Sequence, residues 1–498
     1  MITLSSFIAH HARVTPAKTA FVYKDASVSY ATFLDRIERT GAWLGAQGVG
    51  AGDVVAVLMK NSAAFLDLFF ATSHIGAIFL PINFRLSAEE VAYIVGNAGA
   101  RLLLTDEELH ASAREADARI VVVNAAAQED ATRLGATGAR AGAHLARGGD
   151  LFRLMYTSGT TDRPKGVMHT YDNFYWKSAG LGISLGIDGD TRLLVAGPLY
   201  HVGACDLPGV GVLWAGGMIY VHRDFDPAAV LGSIQSHRLN AAWLAPVMTS
   251  GLIAYPDRAA FDVSSMRWVI GGGERTPEQR IREFGDYFTN GRYIDAYGLT
   301  ESVSGDTLME PGREIEKIGS VGRCVPHVEL RIRDESGGFA GPNVEGEICL
   351  RGPKVTQGYW RDEAKTKACF ADGWFLTGDV GYLDEDGFLF LTDRKKDMII
   401  SGGENIASSE VERAIYELPE VAEVAVIGAP DAQWGEKPIA VVVLREGAQL
   451  DEARLIAHCR ARLAGFKTPK GLVIRSALPR NPSGKILKRV LRAELNDE

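Results

Sequence analysis

Met155-Tyr156-Thr157-Ser158-Gly159-Thr160-Thr161-Asp162-Arg163-Pro164-Lys165-Gly166 is the stretch around which the chain organises itself. From Tyr156 to Thr161 every position is a hydroxyl or a glycine, and Lys165 closes the run. Such a loop suits phosphate oxygens: glycines let backbone N–H groups approach, hydroxyls donate, and the lysine supplies charge. It is not a Walker A loop, since Lys165 follows proline and no Gly-Lys-Ser/Thr occurs here. Taken alone it reads sooner as a polar turn after a strand.

Its surroundings set the fold class. Upstream, 54–59, 102–105 and 120–124 are short β-rich runs, and 65–75 is an apolar helical run stopped by Gly76. Downstream, 192–196, 218–222, 268–270 and 292–294 each run into a Gly-rich or polar turn. The alternation predicts an α/β fold of parallel, doubly wound sheets, with ligands at the strand ends. The Ala/Gly/Arg-rich stretch 125–150 lacks periodicity and reads as a surface connection. Composition changes at Asp393-Arg394-Lys395-Lys396-Asp397, a charged run between strand-like stretches. Beyond it, Ser409 and Glu412 have capping-box spacing before a helix over 411–418. Strands over 421–427 and 439–444 follow, then a helix over 451–463 with Gly465 as its stop. The chain therefore divides into a large domain, 1–392, and a small β/α domain, 393–498, with the hinge at Asp393.

At 498 residues two or more domains are expected. A net charge of −9 argues against a nucleic-acid partner held by bulk electrostatics, although 467–492 is locally basic. Five cysteines without a CxxC pair suit reduced thiols and a cytoplasmic location. No run approaches the ~18 apolar residues of a membrane span, and the N-terminus lacks the features of a signal peptide.

Four more motifs accompany the opening loop. Tyr297-Gly298-Leu299-Thr300-Glu301 offers an aromatic face, a hydroxyl and a carboxylate after a strand. Trp374-Phe375-Leu376-Thr377-Gly378-Asp379 ends in a carboxylate suited to a ribose diol. The charged run at Asp393 leads to Gly402-Gly403-Glu404-Asn405, and Pro479-Arg480-Asn481-Pro482-Ser483-Gly484-Lys485 puts a lysine on a tight turn. Singly, each has an ordinary structural explanation. In this order and spacing they resemble the adenylate-forming superfamily of acyl-CoA synthetases, 4-coumarate–CoA ligases, adenylation domains and luciferases, over nearly the whole chain.

The resemblance implies an ATP-dependent carboxylate–CoA ligase using Mg²⁺ and coenzyme A: acid and ATP give acyl-adenylate and pyrophosphate, then acyl-CoA and AMP. Thr157, Ser158, Gly159, Thr160, Thr161 and Lys165 would grip the outer phosphates, and Thr300 the α-phosphate. Glu301 would hold Mg²⁺, a hard cation suited to carboxylate oxygen. Gly272, Gly273, Glu274, Asp295, Tyr297 and Gly298 would surround the adenine side of the nucleotide, and Asp379 and Arg394 would take the ribose hydroxyls. Lys485 would stand between the acid's carboxylate and the α-phosphate. Asp162 stands where the family's loop has glycine, which bears on ATP affinity rather than ATP use.

The acyl pocket would begin at Pro198-Leu199-Tyr200-His201. His201 would serve there as a catalytic or gating residue, and Val202, Gly203, Ala204, Val247, Gly298 and Leu299 would line it. No Arg or Lys occurs in this set, so a neutral-tailed monocarboxylate is expected, a fatty acid or an aromatic such as a phenylpropenoic acid. Asp206 is expected to point away or bond locally rather than meet a cationic tail. Gly402 and Gly403 would pass the pantetheine arm of CoA, with Lys437, Lys467 and Lys470 as candidates for its phosphates. Two rival readings remain at this point: loading of a carrier-protein thiol, and a catalytically silent binding module. The presence of Lys485 and Glu301 weighs against the second.

Overall fold

Val54–Leu58 is buried along its whole length, as is Ile78–Pro81. Continuous burial is what a parallel strand covered on both faces requires. The helix between them, Ala63–His74, is likewise buried; the Ser62 hydroxyl caps it by accepting from Phe65 N–H at 3.1 Å. It stops where expected, at Gly76, whose φ is +75°.

The computed structural model describes residues 3–124, 138–157, 164–272, 278–334, 336–394, 397–401, 404–431, 434–480 and 486–496. The chain divides into two compact units, Met1–Glu329 with Arg351–Phe375, and Leu330–Leu350 with Leu376–Glu498.

The first unit holds two large sheets. One is six-stranded, in the order Arg119–Val123, Leu102–Asp106, Val54–Leu58, Ile78–Pro81, Leu151–Thr157, Lys165–Thr170. Its pairs are parallel except the last, a hairpin. The other is seven-stranded, in the order Arg292–Ile294, Trp268–Ile270, Ala241–Trp243, Arg192–Val195, Met218–Val221, Thr19–Tyr23, Ala26–Ser29. It too is parallel except for its terminal hairpin. Leu58, Leu80, Ile94, Leu103 and Leu154 form the core of the first sheet, and Leu194, Ala242, Val269 and Phe284 belong to that of the second. The strands read from sequence over 54–59, 102–105, 120–124, 192–196, 218–222, 268–270 and 292–294 are all present, within about a residue at each end.

In the second unit, strands Val421–Asp431 and Gly435–Leu444 pair antiparallel, and Leu472–Arg475 joins in parallel. Alternation decides which helix covers which face. Val424, Val426 and Val442 pack with Val411, Ile415 and Leu455 of the helices Ser408–Tyr416 and Glu452–Arg460. Ala425, Ile427 and Val441 face the other way, towards Leu491 of the helix Lys488–Asn496.

Two expectations meet a different arrangement. The capping box of Ser409 and Glu412 does not form: the helix begins after Ala407 with no side-chain cap. Tertiary partners take both groups instead. Ser409 Oγ donates to the Thr392 carbonyl, and Glu412 Oε1 accepts from Val426 N–H at 2.8 Å. Second, Asp393 does not stand at the division between units. Residues 330–350 and 376–392 group with the C-terminal elements, because Trp374–Leu383 and Leu389–Arg394 form one hairpin that pairs Val380 with Asp393.

Among the described residues, no helix is long and apolar enough to cross a membrane.

Candidate functional site

The hairpin at the edge of the six-stranded sheet sets Thr157 directly opposite Lys165, so the two ends of the phosphate-suited loop meet across one register position. Ser158, Gly159, Thr160 and Thr161 lie outside the described residues, as do Gly273, Glu274, Gly402, Gly403 and Lys485. Along strand Lys165–Thr170 runs the segment 356–360. Met168 N–H donates to the Gly358 carbonyl at 3.1 Å, Trp360 N–H to that of Gly166 at 2.7 Å, and Thr356 Oγ1 to that of Met168 at 2.6 Å.

That segment reaches the Thr300–Glu301 turn. Tyr359 donates its hydroxyl to Glu301 Oε1 at 2.9 Å, and Thr356 N–H donates to the Glu301 carbonyl at 2.6 Å. Burial, and next the Glu301 charge, push the Tyr359 phenol up, so it stays a donor. The turn after Glu301 is unusual. Val303, Ser304 and Gly305 have φ of +55°, +66° and +68°, a conformation costly for a β-branched residue. Lys354, fully buried, holds it open: its Nζ donates to the carbonyls of Ser304 and Gly305 at 2.8 and 2.7 Å and sits 3.0 Å from Asp306 Oδ1. Gly298 precedes the turn, and a Cβ there would lie 2.3 Å from Gly305 N, so only glycine fits. Tyr297 and Asp295 are both nearly buried, and Tyr297 pairs with Thr307 in a short antiparallel ladder. At Gly272 a Cβ would stand 3.2 Å from the Ala296 carbonyl oxygen, a tight but less absolute constraint.

The pocket segment comes to the same place. Asn61 pins its start by accepting from Leu199 N–H at 2.7 Å and donating to the Gly197 carbonyl at 2.7 Å. His201 Nδ1 accepts from Gly203 N–H at 3.1 Å, and its ring stacks on Trp243 with centroids 6.1 Å apart. Added Cβ atoms at Gly197 and Gly203 would lie 2.5 and 2.4 Å from the Trp243 ring, so the indole fills the space those side chains would take. Val202 and Ala204 are buried, whereas Val247, in the first turn of helix Pro246–Ala254, is 74% exposed. Leu207 lies against Gly305, which joins the pocket segment to the turn after Glu301. Asp206 is committed to Arg153, whose guanidinium forks onto it at 3.0 and 2.7 Å. Lys177 donates to the Asp206 carbonyl at 2.5 Å, with its ammonium pushed down to about 8 by burial.

The second unit is described by itself. Asp379 and Arg394 stand opposite each other on neighbouring strands. Gly378, with φ +74°, donates its N–H to Glu347 Oε1 at 3.0 Å. Lys467 is paired with Glu410 at 2.7 Å and Lys437 lies 3.7 Å from Asp431. Lys470 donates to the Gly465 carbonyl at 3.4 Å.

Sequence reading missed Arg153, His169, Lys354, Tyr359, Asn61 and Trp243. A signal existed for the first two, an arginine and a histidine set among the apolar residues Phe152, Leu154, Val167 and Met168 of their strands. For the others the partner lies far along the chain, and no local spacing announces it.

These residues fit the groups that the resemblance implies. Among the described residues no cluster of three or more His, Cys, Asp or Glu could cage a metal. A single presented carboxylate, Glu301, suits Mg²⁺, which takes one or two carboxylates and completes its shell with phosphate oxygens and water.

Comparison with known proteins agrees. Residues 8–360 match the AMP-binding enzyme family, and 410–485 match the AMP-binding enzyme C-terminal domain. A feruloyl-CoA synthase of Amycolatopsis sp is 37% identical over 98% of each chain. An indoleacetate–CoA ligase of Aromatoleum aromaticum is 35% identical over 98% of this chain and 97% of its own. The structure of o-succinylbenzoate CoA synthetase from Bacillus subtilis, in complex with its acyl-adenylate intermediate, superposes with a TM-score of 0.89 at 31% identity, covering 99% and 98% of the two chains.

Proposed function

Because the chain belongs to the AMP-binding enzyme family, we propose that it joins a neutral-tailed monocarboxylic acid to coenzyme A at the expense of ATP, with an aromatic acid as its first substrate class. The enzyme is an AMP-forming acid–thiol ligase, and its reaction runs through an acyl-adenylate.

The first chemical obstacle is repulsion, since a carboxylate must attack a phosphate. Mg²⁺ when bound supplies positive charge to the phosphate oxygens. Thr300 donates to the α-phosphate and Glu301 presents the carboxylate for the metal. Lys165 and the loop ahead of it take the outer phosphates, and Lys485 neutralises charge between acid and nucleotide. A preorganised donor of this kind is worth about 10²–10³ in rate. The observation that carries the reading is the convergence of the 157/165 hairpin, the Thr300–Glu301 turn and the His201 segment within one unit.

The aromatic preference is supported by the His201–Trp243 stack, whose indole lies against Gly197 and Gly203. It is also supported by relatives named for ferulate and indoleacetate. The small domain is proposed to rotate about Asp393, bringing first Lys485 and then Gly402-Gly403 to the acyl carbon. We place the enzyme in the cytoplasm, a reading supported by five cysteines of which none is in a disulfide.

A panel of carboxylic acids, each assayed for pyrophosphate release with ATP, tests the substrate class. Hydroxycinnamic and arylacetic acids should lead, and malonate and succinate should trail. A dicarboxylate in first place would sink the neutral-tail reading.

A further inference from the structure

Strands Leu151–Thr157 and Lys165–Thr170 set Arg153 directly opposite His169, and both side chains are fully buried. Arg153 Nε and Nη2 lie 3.0 and 2.9 Å from His169 Nδ1. A guanidinium has only donors, so Nδ1 must accept and the ring must be neutral with its proton on Nε2. Nε2 lies 2.7 Å from the Thr300 carbonyl oxygen, which can only accept. Both ends of the imidazole therefore demand the same tautomer. Burial, reinforced by the Arg153 charge, holds His169 well below the ordinary imidazole range, in keeping with that neutrality.

The other side of Arg153 forks onto Asp206, which lies just beyond the pocket residues Val202–Ala204. One buried relay thus runs from the pocket segment through Arg153 and His169 to the backbone of Thr300. The turn it reaches needs anchors, because three successive residues after Ser302 are left-handed. Lys354 holds that turn at Ser304 and Gly305. The only side chain seen to hold it at Thr300, among the described residues, is His169.

We propose that His169 is a positioning residue for the nucleotide, its Nε2–H fixing the Thr300 backbone and so the Thr300 hydroxyl and Glu301 carboxylate. This rests on the reading above that Thr300 and Glu301 serve the nucleotide. Two substitutions separate positioning from packing. His169→Gln keeps an N–H within reach of Thr300 and an oxygen that accepts from Arg153, whereas His169→Leu fills similar space with neither.

The decisive measurement is AMP binding by titration calorimetry, without acid, CoA or magnesium, on full-length proteins whose melting temperatures are recorded alongside. The Kd for AMP should rise at least tenfold in His169→Leu and return to within about threefold of wild type in His169→Gln. Acid-dependent pyrophosphate release should follow the same order in kcat, with the KM for acid little changed. Unaltered AMP binding in His169→Leu overturns the proposal. So does equal loss in both variants, which would make the histidine mere packing. The AMP arm decides this point even if wild type releases pyrophosphate with none of the acids tried, a result that would count against the ligase reading alone.

Discussion

Lys354 brings three oxygens together beneath the Thr300–Glu301 turn, from Ser304, Gly305 and Asp306, and is itself fully buried. Lys354→Met should leave the Asp306 carboxylate without its cation in a dry site, a change that costs about 3–5 kcal/mol. Urea unfolding should show the loss; an unchanged midpoint would mean that water reaches Asp306. Lys485→Ala, by contrast, should leave stability alone. It should abolish acid-dependent pyrophosphate release and spare thioester formation from supplied acyl-adenylate, since that step no longer brings two anions together. Equal loss of both half-reactions would make Lys485 structural. His222 supplies a pH dependence. Burial pushes its imidazole down to about 4, so the unfolded chain takes up the proton first as pH falls. Stability should therefore drop between about pH 6.5 and 4 and level off below, by about 2 kcal/mol between pH 7 and 5. In His222→Asn the difference in unfolding free energy from urea melts between pH 7 and 5 should shrink by that amount, and an unchanged difference would put the acid sensitivity elsewhere.

At the scale of elements, the parallel strands were legible because burial on both faces leaves apolar runs of the right length, as in Val54–Leu58. The stop at Gly76 was legible because left-handed backbone favours glycine. What stayed hidden was set by distant partners. Ser409 turned from capping its own helix to the Thr392 carbonyl, and Trp243 entered the pocket wall through two glycines some forty positions away. The motif residues announced themselves by type and spacing, whereas their supports, Tyr359 beneath Glu301 and Lys354 beneath the turn after it, did not. Trp243 yields the prediction for this scale. Trp243→Leu should open the space over Gly197 and Gly203 and shift kcat/KM from one-ring towards two-ring aromatic acids, by about 1–3 kcal/mol of discrimination. An unchanged ratio would place the acyl tail on another wall.

For the whole molecule, the two chemical steps make competing demands on one small domain. On the proposed reading Lys485 and Gly403 would each have to reach the same acyl carbon, which would require the domain to take two poses. Asp393 pairs with Val380 within a hairpin, so a hinge there has to act through the torsions leading out of strand Leu389–Arg394. Asp393→Pro fixes φ near −65° and removes an N–H. It should leave one half-reaction near normal, with adenylation the expected survivor, and slow the other at least about tenfold, roughly 1.4 kcal/mol in barrier. A parallel fall in both rates would indicate destabilisation, and no change would move the hinge away from Asp393.

The central claim, that acid activation by ATP and transfer to CoA occur on this one chain, is tested most directly by a single-turnover experiment on the wild-type protein. ATP, magnesium and a hydroxycinnamic acid are mixed with excess enzyme, and pyrophosphate, AMP and thioester are quantified before and after CoA is added. The account predicts close to one pyrophosphate per limiting ATP before CoA, with the acyl group held as adenylate, and then equal amounts of AMP and acyl-CoA once CoA arrives. Release of ADP and inorganic phosphate in place of pyrophosphate, or an adenylate that CoA does not discharge, would contradict it.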